Sequence, residues 1–251
     1  MNPITLKSEL LRQMDAHEKG NIYHWTQTNF AYNSNRIEGS QISPDQTEMI
    51  FEDQTFLPEE NTPIRLDDLV EVRNHFRLFD YMLQTLEQPL SVGLILEMQR
   101  LLKRGTSDET RPWMNVGGFK TIGNQIGMIN PVKTTPPARV EAELTELVNE
   151  YTSKSSCTFQ DLIDFHVRFE RIHPFSDGNG RIGRMILFRE CLVNGLWPFI
   201  ILDRNRAFYI RGLREYDNEP GYLTDTCLLS QDQYKAVAEQ FLERLSPESA
   251  L

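Results

Sequence analysis

Apolar positions recur along most of this chain at helical spacing. The cleanest run is Leu69, Val72, Phe76, Phe79, Leu83 and Leu86, three and four residues apart in turn. That spacing lays one stripe along a long amphipathic helix. A second stripe, Leu162, Phe165, Phe169 and Ile172, predicts a helix that stops at His173, because a residue before proline is driven out of helical geometry. Ile182, Met185, Ile186 and Val193 bury the helix that follows, and Asn194-Gly195 end it. Shorter runs predict helices over 4–19 (Leu6, Leu10, Leu11 and Met14, stopped by Gly20) and over 21–37, ending at Glu38-Gly39. Ser43-Pro44-Asp45-Gln46 carries the signature of a helix start: a capping serine, proline at the first position and glutamine closing a capping box.

Residues 53–65, with Pro58 and Pro63, form a loop. Ser91 opens a helix with Leu94, Met98, Leu101 and Leu102 apolar and Gly105 beyond its end. After Pro136-Pro137, the set Val140, Leu144, Leu147, Val148 and Tyr151 marks another. Asp203 is expected to cap a helix carrying Tyr209 and Leu213. Ser230 with Gln233 is expected to cap a last one carrying Tyr234, Val237, Phe241 and Leu245. The helical period breaks only at 112–130. There Gly117 to Ile122 and Gln125 to Ile129 flank Gly123-Asn124, which predicts a short β-hairpin. The expected fold class is all-α with that one hairpin.

The 251 residues suffice for one large domain, with or without an N-terminal extension. A net charge of -10 argues against a general nucleic-acid binder, which needs basic surface. It leaves room for a nucleotide held by a few local arginines. Cys157, Cys191 and Cys227 are sparse and lack metal spacing, as expected of reduced thiols. No apolar run approaches the roughly 20 residues that span a bilayer. A cytoplasmic protein with neither membrane nor nucleic-acid partner is the expectation. His24, His75 and His166 lie in helical segments without a metal-spaced partner and read as structural or surface residues.

The chemistry concentrates in His173-Pro174-Phe175-Ser176-Asp177-Gly178-Asn179-Gly180-Arg181-Ile182-Gly183-Arg184. Gly178, Asn179 and Gly180 can turn successive N–H groups inward as an anion nest, at a helix N-terminus where the dipole favours negative charge. Arg181 and Arg184 lie three apart on that helix, and their forks match phosphate oxygens. Asp177 is a hard oxygen ligand suited to Mg²⁺ shared with phosphates. His173 is the one group in the loop able to accept a proton near neutral pH. Phe175 reads as an apolar anchor.

Together these residues resemble the signature of the Fic family, H-x-F-x-[DE]-G-N-G-R-x-x-R, with every fixed position matched. The resemblance covers roughly residues 30–218. It implies a Fic-type helical bundle with an N-terminal helical region over 1–65, a core over 66–218 and a C-terminal extension over 219–251. It also implies a protein adenylyltransferase that moves AMP from ATP to a Ser, Thr or Tyr hydroxyl of a target protein, its own chain among the candidates, with a homodimer left open. His173 would then be the base and Asp177 the ligand of Mg²⁺ or Mn²⁺. Gly178, Asn179, Gly180, Arg181, Gly183 and Arg184 would hold ATP. A flap strand, Gln125-Ile126-Gly127-Met128, would register the target by strand addition. Arg206 to Leu213 looks like a stretch that helps hold adenosine, with Tyr209 as the better match. Met98-Gln99 stand where the family usually has Leu-His. Ser34-Asn35-Arg36-Ile37-Glu38-Gly39 fits the inhibitory pattern [ST]-x-x-x-E-[GN], in which Glu38 would pair with Arg184 and displace the γ-phosphate. Removal of AMP, other nucleotidyl or phosphate transfers, and nucleotide binding without turnover remain alternatives. Gly180 argues against the phosphate-transferring branch, which typically has lysine there.

Overall fold

The computed structural model describes residues 2–16, 19–58, 63–127 and 131–243. Among them are ten α-helices: α1 (Pro3–Ala16), α2 (Ile22–Ile37), α3 (Pro44–Asp53), α4 (Leu66–Gln84), α5 (Val92–Lys103), α6 (Pro137–Thr152), α7 (Phe159–Ile172), α8 (Asn179–Val193), α9 (Arg206–Glu215) and α10 (Gly221–Glu243). The one sheet pairs β1 (Gln125–Ile126) antiparallel with β2 (Val132–Lys133), Gln125 opposite Lys133 and Ile126 opposite Val132. The helical class is as expected.

The helix starts follow the local chemistry. Ser43 accepts from the Gln46 N–H while the Gln46 side chain accepts from the Ser43 N–H, closing the predicted capping box. Thr158 and Asp161 do the same for α7. Two expected caps are absent. Ser230 lies inside α10, its hydroxyl donating to the Thr226 carbonyl one turn back, so the helix runs on through it. Asp203 sits in a short 3-10 turn, Asp203–Asn205, that leads into α9. Leu245 lies outside the described residues.

The hairpin differs in register from the prediction. Residues 117–122 form no strand, and β1 pairs with the chain that follows it. The reason is Asn124, expected in a turn. Its amide donates to the Phe175 carbonyl and its Oδ1 accepts from Lys120 Nζ, which pins this segment to the body.

α8 runs through the middle of the molecule, packed on α1, α2, α4, α5 and α7. All of it is buried except Gly180 and Val193, the latter 41% exposed at the last turn although the stripe placed it in the core. Phe188 organises the aromatic centre, its ring 5.3 Å from Phe30 of α2, 5.5 Å from Phe79 of α4 and 5.6 Å from Tyr234 of α10. A single apolar cluster runs from Leu6 to Ala238, so helices on both sides of the 66–218 segment share one core. Deleting a buried ring such as Phe188 costs about 3–5 kcal/mol. No helix among the described residues is long and apolar enough to cross a membrane.

Candidate active site

α7 delivers His173 and α8 receives the loop after it. His173 terminates α7 in left-handed geometry, φ 51° and ψ 62°, with its N–H donating to the Phe169 carbonyl. Proline forbids the right-handed helical region to its predecessor, and here the chain takes the left-handed turn instead of an extended one. Its Nδ1 lies 3.2 Å from the Glu170 carbonyl. A carbonyl only accepts, so the contact places the ring proton on Nδ1 and leaves Nε2 as the proton acceptor. Burial lowers the His173 pKa to about 4, Lys120 adding to the effect, so the ring is neutral at physiological pH.

The loop then folds onto itself. Asn179 Oδ1 accepts from the Phe175 N–H and its amide donates to the Phe175 carbonyl, both at 2.8 Å. The Asn179 side chain thus closes the loop, and only its backbone is left for a ligand. Gly178 adopts φ 89°, a conformation that glycine reaches without strain, and no side chain caps α8. The first N–H groups of a helix have no partner within it, so the positive end of α8 faces the loop open to an anion.

A carboxylate from the end of another helix, Glu38, reaches this end of α8. α2 ends in a Schellman-type turn, the Ser40 N–H donating to the Asn35 carbonyl across Gly39 at φ 100°. That turn presents the Glu38 carboxylate to α8. A Cβ at Gly180 would overlap Glu38 Oε1 and come within 2.9 Å of Arg184 Nη1. Arg184 Nη2 donates to Glu38 Oε1 at 2.7 Å and to the Ser34 carbonyl at 2.9 Å, and Nε donates to Ser34 Oγ at 3.1 Å. Burial opposes ionisation of Glu38, yet Arg184 and Arg181 hold its carboxyl below the ordinary value. Arg206 Nε donates to the Ile37 carbonyl, and the Asp203 N–H to Asn33 Oδ1, so the 203–206 turn clamps α2 in place.

Beneath Arg184 lie three buried side chains, Tyr209, His166 and Glu170. Tyr209 is 1% exposed, its ring 5.9 Å from the guanidinium carbon and its hydroxyl 2.7 Å from His166 Nε2. In this structure Tyr209 backs the arginine and does not line an open cleft. Burial lowers the His166 pKa to about 3. Burial likewise raises that of Glu170 to about 8, with Arg184 only partly opposing it. Glu38 is the one ion-pair partner of Arg184 among the described residues.

Asp177 and Arg181 belong to a second buried network. Arg181 pairs with Glu71 and with Asp177 Oδ2 at 3.1 Å, and donates to Asn35 Oδ1. Lys103 Nζ sits among Glu71, Asp108 at 2.6 Å and Asp177 Oδ2 at 2.5 Å. Both terminal nitrogens of the Arg181 guanidinium, 3% exposed, are therefore engaged by protein partners in this structure, while its buried Nε has none among the described residues. Gln99 donates to the Asp177 carbonyl and accepts from the Gly117 N–H, which fixes the signature loop against the 115–118 turn.

Asp177 suits a divalent cation. Burial would raise its pKa, but Arg181, Lys103 and the Gly178 amide hold the carboxyl well below the carboxylate range. Its side chain is 45% exposed, with Oδ2 turned toward the two cations. One ionised carboxylate beside an open helix N-terminus is a typical Mg²⁺ arrangement, the rest of the shell being phosphate and water. Glu71 and Asp108 also approach Asp177 closely enough to share an ion. The Lys103 ammonium already bridges all three, and of them only Asp177 keeps an exposed carboxylate, 45% against 9% for the other two.

Gln125 and Ile126 form β1 and Gly127 follows it at φ 82°; Met128 lies outside the described residues. Gly183 packs where a Cβ would come within 3.0 Å of the His166 ring and 2.5 Å of Glu170 Oε1, so it serves close helix packing. The sequence reading missed Glu71, Lys103, Asp108, Lys120 and Glu170. A signal existed for Glu71: with Asn74, Leu78 and Met82 it forms a second buried row on α4, spaced 3, 4 and 4. Charge on such a row marks a buried network. Asp108 sits in a short 3-10 turn, Ser107–Thr110, and Lys120 in irregular chain, where no period shows burial.

Residues 89–190 match the Fic/DOC family. Protein adenylyltransferase fic-1 of Caenorhabditis elegans is 28% identical over 192 residues, covering 73% of this chain and 35% of that protein. The chain thus spans about a third of the length of this relative. Among solved structures, a Fic domain containing signaling protein from Bacteroides thetaiotaomicron VPI-5482 superposes with a TM-score of 0.71 at 21% identity, covering 97% of this chain and 94% of that one. A fragment of Fic-1 from C. elegans gives 0.67 at 21% identity, covering 97% and 72%.

Proposed function

Because the chain carries a Fic domain with its signature loop intact, we propose that it is a protein adenylyltransferase held inactive by its own helix α2. The observation that carries this reading is the seat of Glu38: its carboxylate lies against Gly180 at the open end of α8 and pairs with Arg184. An anion site built for phosphate is filled by a side chain of the same molecule.

In the reaction, His173 Nε2 accepts the proton of a Ser, Thr or Tyr hydroxyl as its oxygen attacks the α-phosphorus of ATP. The new O–P bond forms as the bond from the α-phosphorus to the bridging oxygen breaks, and pyrophosphate leaves. The α8 N-terminus and Arg184 stabilise the phosphate charge by preorganised donors. A Mg²⁺ or Mn²⁺ ion held by Asp177 supplies further neutralisation of the phosphates when bound. Glu38 opposes all of this in the observed arrangement by occupying the guanidinium that the γ-phosphate needs. Gly180 fits this reading better than phosphate transfer through a lysine there. A side chain at 180 and the Glu38–Arg184 pair compete for one space. The hairpin edge offers main-chain groups to an extended target segment.

The test is an incubation with ATP labelled at the α-phosphate, with Mg²⁺, for the wild type and Glu38→Gly, read by intact mass and label. Addition of AMP by the variant, with little by the wild type, is expected. A variant that binds ATP yet modifies neither itself nor any protein offered to it defeats the reading. Release of AMP from a modified protein by the wild type, lost in Glu38→Gly, would assign Glu38 to the reverse, hydrolytic reaction.

A further inference from the structure

Lys120 has no role in the chemistry above, and it is among the most buried charges in the molecule, 2% exposed. No carboxylate among the described residues lies within ion-pair distance of it. Instead its ammonium donates three hydrogen bonds, to Asn124 Oδ1 at 2.8 Å, Thr134 Oγ1 at 2.7 Å and the Ile172 carbonyl at 3.2 Å. These acceptors belong to the chain entering the β1–β2 hairpin, the chain leaving it, and the residue just before His173. An ammonium has three protons, so its donor capacity is filled. The position near the C-terminus of α7 also favours a cation, because helix carbonyls point there.

Two backbone N–H groups and the Asn124 side-chain amide repeat the pattern. The Lys120 N–H donates to the Pro174 carbonyl at 2.8 Å, the Asn124 amide to the Phe175 carbonyl at 3.0 Å, and the Thr135 N–H to the Arg171 carbonyl at 3.3 Å. Thr134 Oγ1 lies 2.9 Å from the Asn124 carbonyl and 2.6 Å from Asn124 Oδ1, joining the two legs of the hairpin. The carbonyls of residues 171, 172, 174 and 175 are thus all held by the hairpin segment. His173, between them, sits at φ 51°, a backbone state that costs a non-glycine residue of order 1 kcal/mol and persists only where its surroundings enforce it.

We propose that Lys120 is a positioning residue that locks the hairpin and the left-handed turn at His173 into one rigid unit. Its ammonium sets the distance between the strand edge that would receive a target segment and the imidazole that would take the target's proton. Retaining an unpaired cation in the interior is costly, and the gain is this coupling. The catalytic half of the inference rests on the adenylyl-transfer reading; the structural half stands without it.

The experiment has one arm for each half. Amide hydrogen exchange on the full chain compares the parent with Lys120→Met and Thr134→Val. The Lys120 and Thr135 amides are expected to exchange at least about tenfold faster in the variants, with Val167 and Phe169 inside α7 unchanged. In the Glu38→Gly background, Lys120→Met is expected to lower kcat for a protein hydroxyl by about ten- to a hundredfold, as misplacement of about 1 Å does. The ATP dissociation constant and binding stoichiometry should hold, and Lys120→Arg should recover part of kcat. Unchanged exchange at 120 and 135 overturns the proposal, as does a kcat equal to the parent's in both Lys120→Met and Thr134→Val. Should Lys120→Met fail to fold, Thr134→Val and Asn124→Ala each cut one leg and decide the same question. If the Glu38→Gly parent moves no AMP, the functional reading falls, while the exchange arm still decides the coupling.

Discussion

Arg184 reaches back 146 residues to hold Glu38, Nη2 to Oε1 at 2.7 Å, and it has no other ion-pair partner among the described residues. Ser34 accepts from two more of its donors without charge, from Nε at Oγ and from Nη2 at the carbonyl. Beneath it, burial favours the neutral forms of Glu170 and His166. A buried guanidinium with a single anionic partner has a strong preference for another anion once that partner is gone.

Glu38→Gly is therefore expected to raise AMP transfer from ATP by on the order of a hundredfold, the gain from two interactions of about tenfold each. Arg184→Ala should abolish the gain in the same background, because the released guanidinium does the binding. Rates from labelled ATP with the two variants decide it. An unchanged rate in Glu38→Gly would reduce the 34–39 segment to an ordinary helix end.

His173→Ala should leave folding and ATP affinity near those of the parent and reduce transfer by at least about a hundredfold, the usual range for a general base. The pH profile carries a sharper expectation. With its pKa lowered to about 4 by burial, His173 is already deprotonated at pH 6. The rate should hold from pH 7.5 to 5.5 and fall only as pH approaches 4. An acid limb centred near 6.5 would show that the imidazole is solvated in the reacting state.

Asp177→Ala is expected to lower the rate and weaken its dependence on Mg²⁺ or Mn²⁺ concentration, and full activity in chelator would remove Asp177 from the site. Lys103→Met tests the network behind it. Glu71, Asp108 and Asp177 would lose the ammonium they share, so stability in urea should drop by about 3–5 kcal/mol. A loss under about 1 kcal/mol would mean that the three carboxylates find other partners.

Acid stability should be governed by buried histidines. Burial, which the nearby arginines reinforce, lowers the His75 pKa to about 3, and burial lowers His166 to about 3 and His173 to about 4. The unfolded chain protonates all three near pH 6.5, so unfolding takes up protons and stability falls as pH drops below that value. Glu170 acts with the opposite sign, since its raised pKa keeps a proton in the folded state that the unfolded state loses above about 4.5. Around pH 5.5 these four groups together take up about two protons on unfolding, a loss of about 2.7 kcal/mol per pH unit, and carboxylates with lowered pKa such as Asp177 and Glu38 add to it as pH falls toward 4.5. Urea melts at pH 6.5, 5.5 and 4.5 measure the slope. His75→Phe, which replaces a ring packed edge-on against Phe30, should flatten it by about one proton. A slope near zero in the parent would mean that these rings are hydrated.

Much of this was legible in the chain itself. The 3-and-4 stripe of α4, the capping box at Ser43 and the proline after His173 are local properties: each states which residues share a face or where a helix stops, and local geometry obeys them. The contiguous run His173 to Arg184 could be read whole for the same reason, since its groups are adjacent in sequence before they are adjacent in space. The tertiary structure alone decided what these groups are attached to. Glu71 and Lys103 look like ordinary helix charges until α4 and α5 bring them to Asp177. Asn179 reads as a phosphate ligand until its side chain closes on Phe175. Asn124 reads as a turn until Phe175 claims its amide, and the hairpin register moves with it. Sequence pattern reports burial through period, and a buried polar partner has none: its identity is set by what the fold carries to within hydrogen-bond distance.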